Sequence, residues 1–237
     1  MKALLRLKYY MTGGLIFLLI LTAYPLLLVL LMILLPFGKK DITSLSMIIL
    51  NIGVYVGIMQ SNSERAEAAS RWRTYAKTLP YSRRQHVDAK YLFSLLAAGL
   101  TFLSVAAAVT LLILLRPDCL SEYPYAPSAA YLILMHASFS AAIVLLFAVI
   151  LYPLYFRRSR GMGTYAAAAV TGLLFFAAPI YVFMHFTQSF LWCRWEPMPP
   201  FTQSLPFLLL GGTAVCYLLS WLLSRRFYCR KKRRKPA

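Results

Sequence analysis

Carboxylates are scarce in this chain: 237 residues carry 7 Asp and Glu against 25 Lys and Arg. Those seven are Asp41, Glu64, Glu67, Asp88, Asp118, Glu122 and Glu196, and all lie outside the long apolar stretches. Ion-coupled transporters and proton pumps usually carry an ionisable residue at membrane depth, because a charge there is expensive and kept only for work. The lack of one argues against both classes, and any drive for movement has to come from elsewhere. Cysteine and histidine are sparse as well. The 4 cysteines stand far apart at 119, 193, 216 and 229, and no His or Cys spacing suits a metal. There is no Gly-rich phosphate loop with its Lys, so nucleotide chemistry is not expected here. His136 and His185 are the only histidines at expected membrane depth, and neither has a Gly-flanked Ser to serve as an intramembrane protease would need. A histidine on an apolar helix is expected to bond to a neighbour, the alternative being a lining role in a substrate path. Membrane transferases and phosphatases need carboxylate or metal clusters, so an enzyme is the weakest class. No catalytic, cofactor-binding or metal-binding residue is expected.

What is abundant is apolar surface. Hydrophobic residues make up 60% and the mean hydropathy is +0.66, above the share of about one half in soluble domains. A bilayer core about 30 Å thick takes roughly 20 apolar residues per helix. Six such stretches fit, at about 13–35, 42–60, 91–115, 129–156, 162–190 and 204–224. They use most of the chain, so the expected fold is all-α: a single transmembrane domain over 1–237, polytopic, with no soluble domain of any size. The first stretch lacks a small-residue cleavage site and is long for a signal peptide, which reads as a retained first span.

The net charge of +18 invites a nucleic-acid reading, but the placement of the charges excludes it. Lys and Arg number 3 before the first span, 7 in segment 61–90, 3 in 157–161 and 8 in the tail 225–237, which together make 21 of 25. The other four are Lys39, Lys40, Arg116 and Arg194. A 21-to-4 split follows the positive-inside rule and puts both termini in the cytoplasm of a plasma-membrane protein. An odd number of spans would scramble it. The basic tail, Arg225 to Lys235, is expected to attract anionic lipid by about 1 kcal/mol per charge.

Segment 61–90 has internal design. Ser61 with Glu64 fits a capping box, and Ser63 is an equally good cap. Ala68, Ala69, Trp72, Tyr75, Ala76 and Leu79 then form an apolar stripe among Arg65, Arg71, Arg73 and Lys77. Pro80 ends that helix. Ser82 with Gln85 makes a second capping box, from which a new helix is expected to run on into the third span. Two readings of the amphipathic helix stand side by side: an interfacial helix on anionic lipid, or a docking element for a cytoplasmic partner.

Pro25, Pro153, Pro179, Pro206 and the pairs Gly13–Gly14 and Gly211–Gly212 are candidate kinks, or ordinary irregular packing. Small residues in the third span (Ala97, Ala98, Gly99, Ser104, Ala106, Ala107, Ala108) and Ala166 to Ala169 in the fifth favour close helix contact. The outward loops hold Tyr123, Tyr125, Trp192 and Trp195, as a headgroup belt would. They also hold Cys119 and Cys193, which face the compartment where a disulfide persists and form the one candidate bridge.

Residues 64–92, ERAEAASRWRTYAKTLPYSRRQHVDAKYL, resemble the permease subunits of type-2 ATP-binding-cassette exporters, above all small bacterial ones that export amphipathic peptides. The matching positions are Glu64 and Arg65 after the second span, then Leu79, Pro80, Ser82 and Arg83 in the turn, then Lys90, Tyr91 and Leu92 opening the third span. The resemblance implies that Glu64, Arg65, Trp72, Leu79, Pro80, Ser82 and Arg83 belong to a coupling helix and its exit. That helix docks on a separate cytoplasmic ATPase subunit, which holds the ATP and Mg; no cofactor is implied in this chain. Residues 1–10 are short for the amphipathic helix that the family often has ahead of its first span. The expected function is a permease, paired with a second permease chain, that moves amphipathic or hydrophobic cargo (peptide, lipid-like or drug-like) outward. The alternative is a non-transporting scaffold or lipid sensor whose basic helix binds anionic headgroups.

Overall fold

A computed structural model of the chain describes residues 14–34, 56, 59–60, 82–115, 117, 128–157 and 204–230. Four long helices carry nearly all of them: α1 (Leu15–Leu34), α2 (Arg83–Leu115), α3 (Ala129–Arg157) and α4 (Leu205–Arg230). No strand occurs among the described residues. Stretches 83–115, 129–156 and 206–228 are each long and apolar enough to cross a membrane, so the protein is a multi-pass membrane protein built from helices.

The helix starts follow from local chemistry. Ser82 and Gln85 cap α2 reciprocally: the Ser82 N–H donates to Gln85 Oε1 at 2.9 Å, and the Gln85 N–H donates to Ser82 Oγ at 3.2 Å. This is the capping box expected from the sequence, and the helix it opens does run on without a break through the apolar stretch to Leu115. Ser128 caps α3 by accepting from the Tyr131 N–H at 3.1 Å. Gly14, at φ 52°, sets the entry to α1 in a conformation that L side chains resist. Pro206 belongs to the first turn of α4, where its missing N–H needed no helical partner; it is a starter there and not the kink considered above. Pro25 and Pro153 do lie inside helices, α1 and α3.

The core is centred on α3. The apolar window of α3 is 67% buried against 39% for α2 and 22% for α4, so among the described helices α3 is the middle one and α4 the least covered. Ala97, Ala98, Val105, Ala108, Val109 and Leu112 form the buried stripe of α2, and its small members let neighbouring backbones approach. Gly99 falls off that stripe: a Cβ there would meet nothing within 4 Å. Gly211 and Gly212 are open in the same way. Close contact in the third span therefore rests on Ala97, Ala98 and Ala108, and not on Gly99 or the exposed Ala107.

Cross-helix contacts give the helix directions. Tyr91 and Ser94 of α2 meet Tyr152 of α3, and His86 meets Phe156, so α2 and α3 are antiparallel. Arg83 meets Tyr228, and Tyr91 meets Tyr217 and Ser220, so α2 and α4 are antiparallel as well. Leu209 packs on the cluster of Met135, Phe139 and Ile143, while Ser220 reaches Val149; α3 and α4 therefore run the same way. The end of the bundle at which α2 begins is called its base.

Candidate functional site

The base carries a buried polar seam. Tyr91, 3% exposed, sets its hydroxyl between Ser220 Oγ at 2.7 Å and Ser224 Oγ at 2.8 Å. Each hydroxyl has one proton to give, and Ser220 spends its own on the Val149 carbonyl at 2.8 Å. Tyr91 therefore donates to Ser220, and Ser224 donates to Tyr91. The Val149 carbonyl is short of a partner for a local reason. Four residues on stands Pro153, which has no N–H to return to it. A hydroxyl from α4 fills the gap that a proline opened in α3, as neighbouring helices do in membranes. Tyr217 donates to the Tyr91 carbonyl. The rings of Tyr152 and Tyr217 stand edge-on to Tyr91 at 5.0 and 5.2 Å.

A second branch runs toward residue 60. Ser94 Oγ lies 2.6 Å from the Tyr152 hydroxyl and donates to Gln60 Oε1 at 3.4 Å. Gln60 is fully buried, and its Nε2 has no partner.

Toward water the seam becomes ionic. Asp88, the one carboxylate among the described residues, accepts from Arg225 Nε at 2.8 Å, Arg225 Nη2 at 2.5 Å and Trp221 Nε1 at 2.9 Å. Arg225 also lies over the Trp221 ring at 4.0 Å. The pair keeps 33% and 22% of its side-chain surface exposed, so its strength is that of a bidentate, partly screened pair. Lys90 is buried to 2% exposure and holds its ammonium 3.9 Å from the Tyr155 ring centroid, an arrangement that stabilises a desolvated cation. His86 sits between the rings of Phe156 and Tyr228. Arg83 lies over the Tyr228 ring at 5.7 Å and donates to the Tyr228 carbonyl.

The base thus joins three membrane-crossing helices at the point where the chain leaves the basic segment 61–82. A model of the ABC-2 family transporter protein matches residues 8–229. The chain belongs to that family. No curated protein and no solved structure matches it. An ABC-2 membrane subunit is a permease, the transport component of an ATP-binding-cassette transporter.

In this ABC-2 permease, two of the seven residues assigned to the coupling helix and its exit are described. Ser82 is the cap of α2, and Arg83 binds the end of α4. Glu64, Arg65, Trp72, Leu79 and Pro80, with the amphipathic helix they define, lie outside the described residues, as do Cys119, Cys193 and His185. His136 takes the ordinary role: it is buried, and its Nδ1 donates to the Leu132 carbonyl at 2.7 Å. Lys90 and Tyr91 were matched to the family motif from the sequence, but the knot that the permease builds from them with Asp88, Tyr152, Ser220, Trp221 and Arg225 escaped sequence reasoning. Its signal is the spacing of Tyr217, Ser220, Trp221, Ser224, Arg225 and Tyr228, one polar and aromatic face of a helix. Arg225 had been counted with the free basic tail; α4 continues to Arg230 and folds it back onto Asp88. Among the described residues no three His, Cys, Asp or Glu side chains converge as a metal site would need.

Proposed function

We propose that the protein is the permease half of an ATP-driven exporter in the plasma membrane, with six spans, cytoplasmic termini and a coupling helix ahead of Ser82. It works as a dimer of permeases with separate ATPase subunits that hold the ATP and Mg. It passes amphipathic or hydrophobic cargo outward, peptides foremost. The observation that carries this reading is the family match over residues 8–229. The helix directions support it: α3 and α4 run parallel, which is what a span at 162–190 between them requires. The base lies next to the most basic internal segment, as a cytoplasmic face should. Uncharged spans favour amphipathic or lipid-like cargo over ions, and the basic tail adds attraction to anionic lipid.

The test is co-expression of the permease with an ATPase subunit of an ABC-2 transporter, followed by co-purification and ATP hydrolysis in vesicles. Trp72→Glu and Leu79→Glu are expected to insert normally and to lose regulation of hydrolysis. Unchanged hydrolysis in both variants sinks the docking role. Dependence on Arg65, Arg71 and Lys77 alone, graded by salt, would favour the lipid-surface reading instead.

A further inference from the structure

We propose that Asp88 and Arg225 are positioning residues whose ion pair fastens the base of α4 to the base of α2, so that a push arriving through the segment before Ser82 moves both helices as one body. The proposal rests on the exporter reading above.

The argument starts from where α2 and α4 touch. Their hydrogen bonds, ion pair and ring contacts run from Arg83–Tyr228 through Asp88–Arg225 to Tyr91–Tyr217. The ladder is antiparallel and about three turns long. Farther from the base, α4 leans on α3. Packing against α2 by apolar surface alone would fix little, because lipid tails compete with leucine on equal terms. Direction and register have to come from polar contacts.

Of those, the Asp88 cluster is the most directional. One carboxylate takes three donors from two residues of α4 a turn apart. Sliding α4 along α2 by a single turn would break all three. Arg225 in turn lies over the Trp221 ring at 4.0 Å, a contact that restricts its fork. The charge surroundings sharpen the effect. On the same two helices the base carries Arg83, Arg84 and Arg226, all exposed, and the buried Lys90. Asp88 is the one anionic side chain described there, and its pair with Arg225 offsets part of the repulsion between two cationic helix ends. A fully exposed pair would be too weak for this task. The partial exposure of this pair suits a joint that must hold under load.

The experiment places spin labels at Leu92→Cys and Leu222→Cys, both on exposed positions, with Cys119, Cys193, Cys216 and Cys229 changed to Ser. The full permease is measured in nanodiscs of phosphatidylethanolamine and phosphatidylglycerol with its ATPase, without nucleotide and with ATP–vanadate. With the native pair, the distance distribution is expected to stay put between the two conditions. Arg225→Ala should shift it by about 2–5 Å in the trapped state, of the order of element shifts in switching proteins. Exchange of the charges, Asp88→Arg with Arg225→Asp, should restore it, which loss of mere bulk would not allow. If Arg225→Ala does not fold, Asp88→Asn is measured in its place. A shift in the native protein, an Arg225→Ala distribution equal to the native one, or a failed exchange would each overturn the proposal. If no ATPase binds the native permease, it is the exporter reading that fails. The joint is then judged on the nucleotide-free samples: about twofold broadening in Arg225→Ala supports it, and an unchanged width refutes it.

Discussion

Removing the Tyr91 hydroxyl is the sharpest test of the buried seam. Tyr91→Phe keeps the ring contacts with Tyr152 and Tyr217 and deletes one oxygen. Ser220 keeps its bond to the Val149 carbonyl, but the fully buried Ser224 loses the bond it makes to Tyr91. Two hydrogen bonds disappear, each contributing about 0.6 kcal/mol within a membrane protein. A buried hydroxyl is left unmet, at a cost of about 1–3 kcal/mol. The expected loss is therefore about 2–4 kcal/mol. Ser224→Ala alone leaves Tyr91 donating to Ser220 and should cost only about 0.6 kcal/mol. The double variant Tyr91→Phe/Ser224→Ala removes donor and acceptor together and should be more stable than Tyr91→Phe by about 1 kcal/mol or more. Reversible unfolding of the purified protein in mixed micelles, titrated with denaturing detergent, gives the three differences. Equal stabilities of Tyr91→Phe and the double variant would refute the directed chain. They would mean that Ser224 turns to its own helix for a partner, as a serine in a helix can.

Ser220→Ala should cost about 1–3 kcal/mol by leaving the Val149 carbonyl unmet. Adding Pro153→Ala should recover about 1 kcal/mol of it by restoring a helical N–H to that carbonyl; the same titration decides, and no recovery would disprove the proline's role. Reporter fusions at Lys39, Glu122 and Glu196 are expected outside and those at Trp72, Ser159 and Lys232 inside, and one reversed site would break the six-span topology. A bridge between Cys119 and Cys193 would contribute about 2–4 kcal/mol. It predicts that neither thiol labels in intact unreduced protein, and free reaction of both would end the idea.

Helix chemistry was legible in the sequence wherever it is local. Ser82 and Gln85 stand three residues apart, and their reciprocal bonds need nothing beyond that spacing. Ala97, Ala98 and Ala108 were legible as contact residues because a small side chain has few other uses at that depth. Gly99 misled because smallness does not say which face of the helix a residue occupies. The knot at the base was not legible for a different reason. Asp88 and Arg225 lie 137 residues apart, and both read as ordinary cytoplasmic charges flanking a span. Their pairing depends on how α4 lies against α2, which no spacing within either helix reveals. Pro153 was visible as a possible kink, but its partner on another helix was not. A proline states that a carbonyl has been freed and does not say what will satisfy it.

The way the seam ends bears on what the membrane can hold. A row of buried hydroxyls between helices resembles a wire along which protons hop, each oxygen receiving one and passing on another. Here the row from Ser224 through Tyr91 and Ser220 stops at a backbone carbonyl, which accepts a hydrogen bond and has no proton to hand on. The Tyr217 hydroxyl also ends on a carbonyl, and Ser94 ends on an amide oxygen. Among the described residues these three rows are dead ends for a hopping proton. The bonds that tie the helices together through Tyr91, Tyr217 and Ser94 therefore place hydroxyls between the helices without making a wire along those rows.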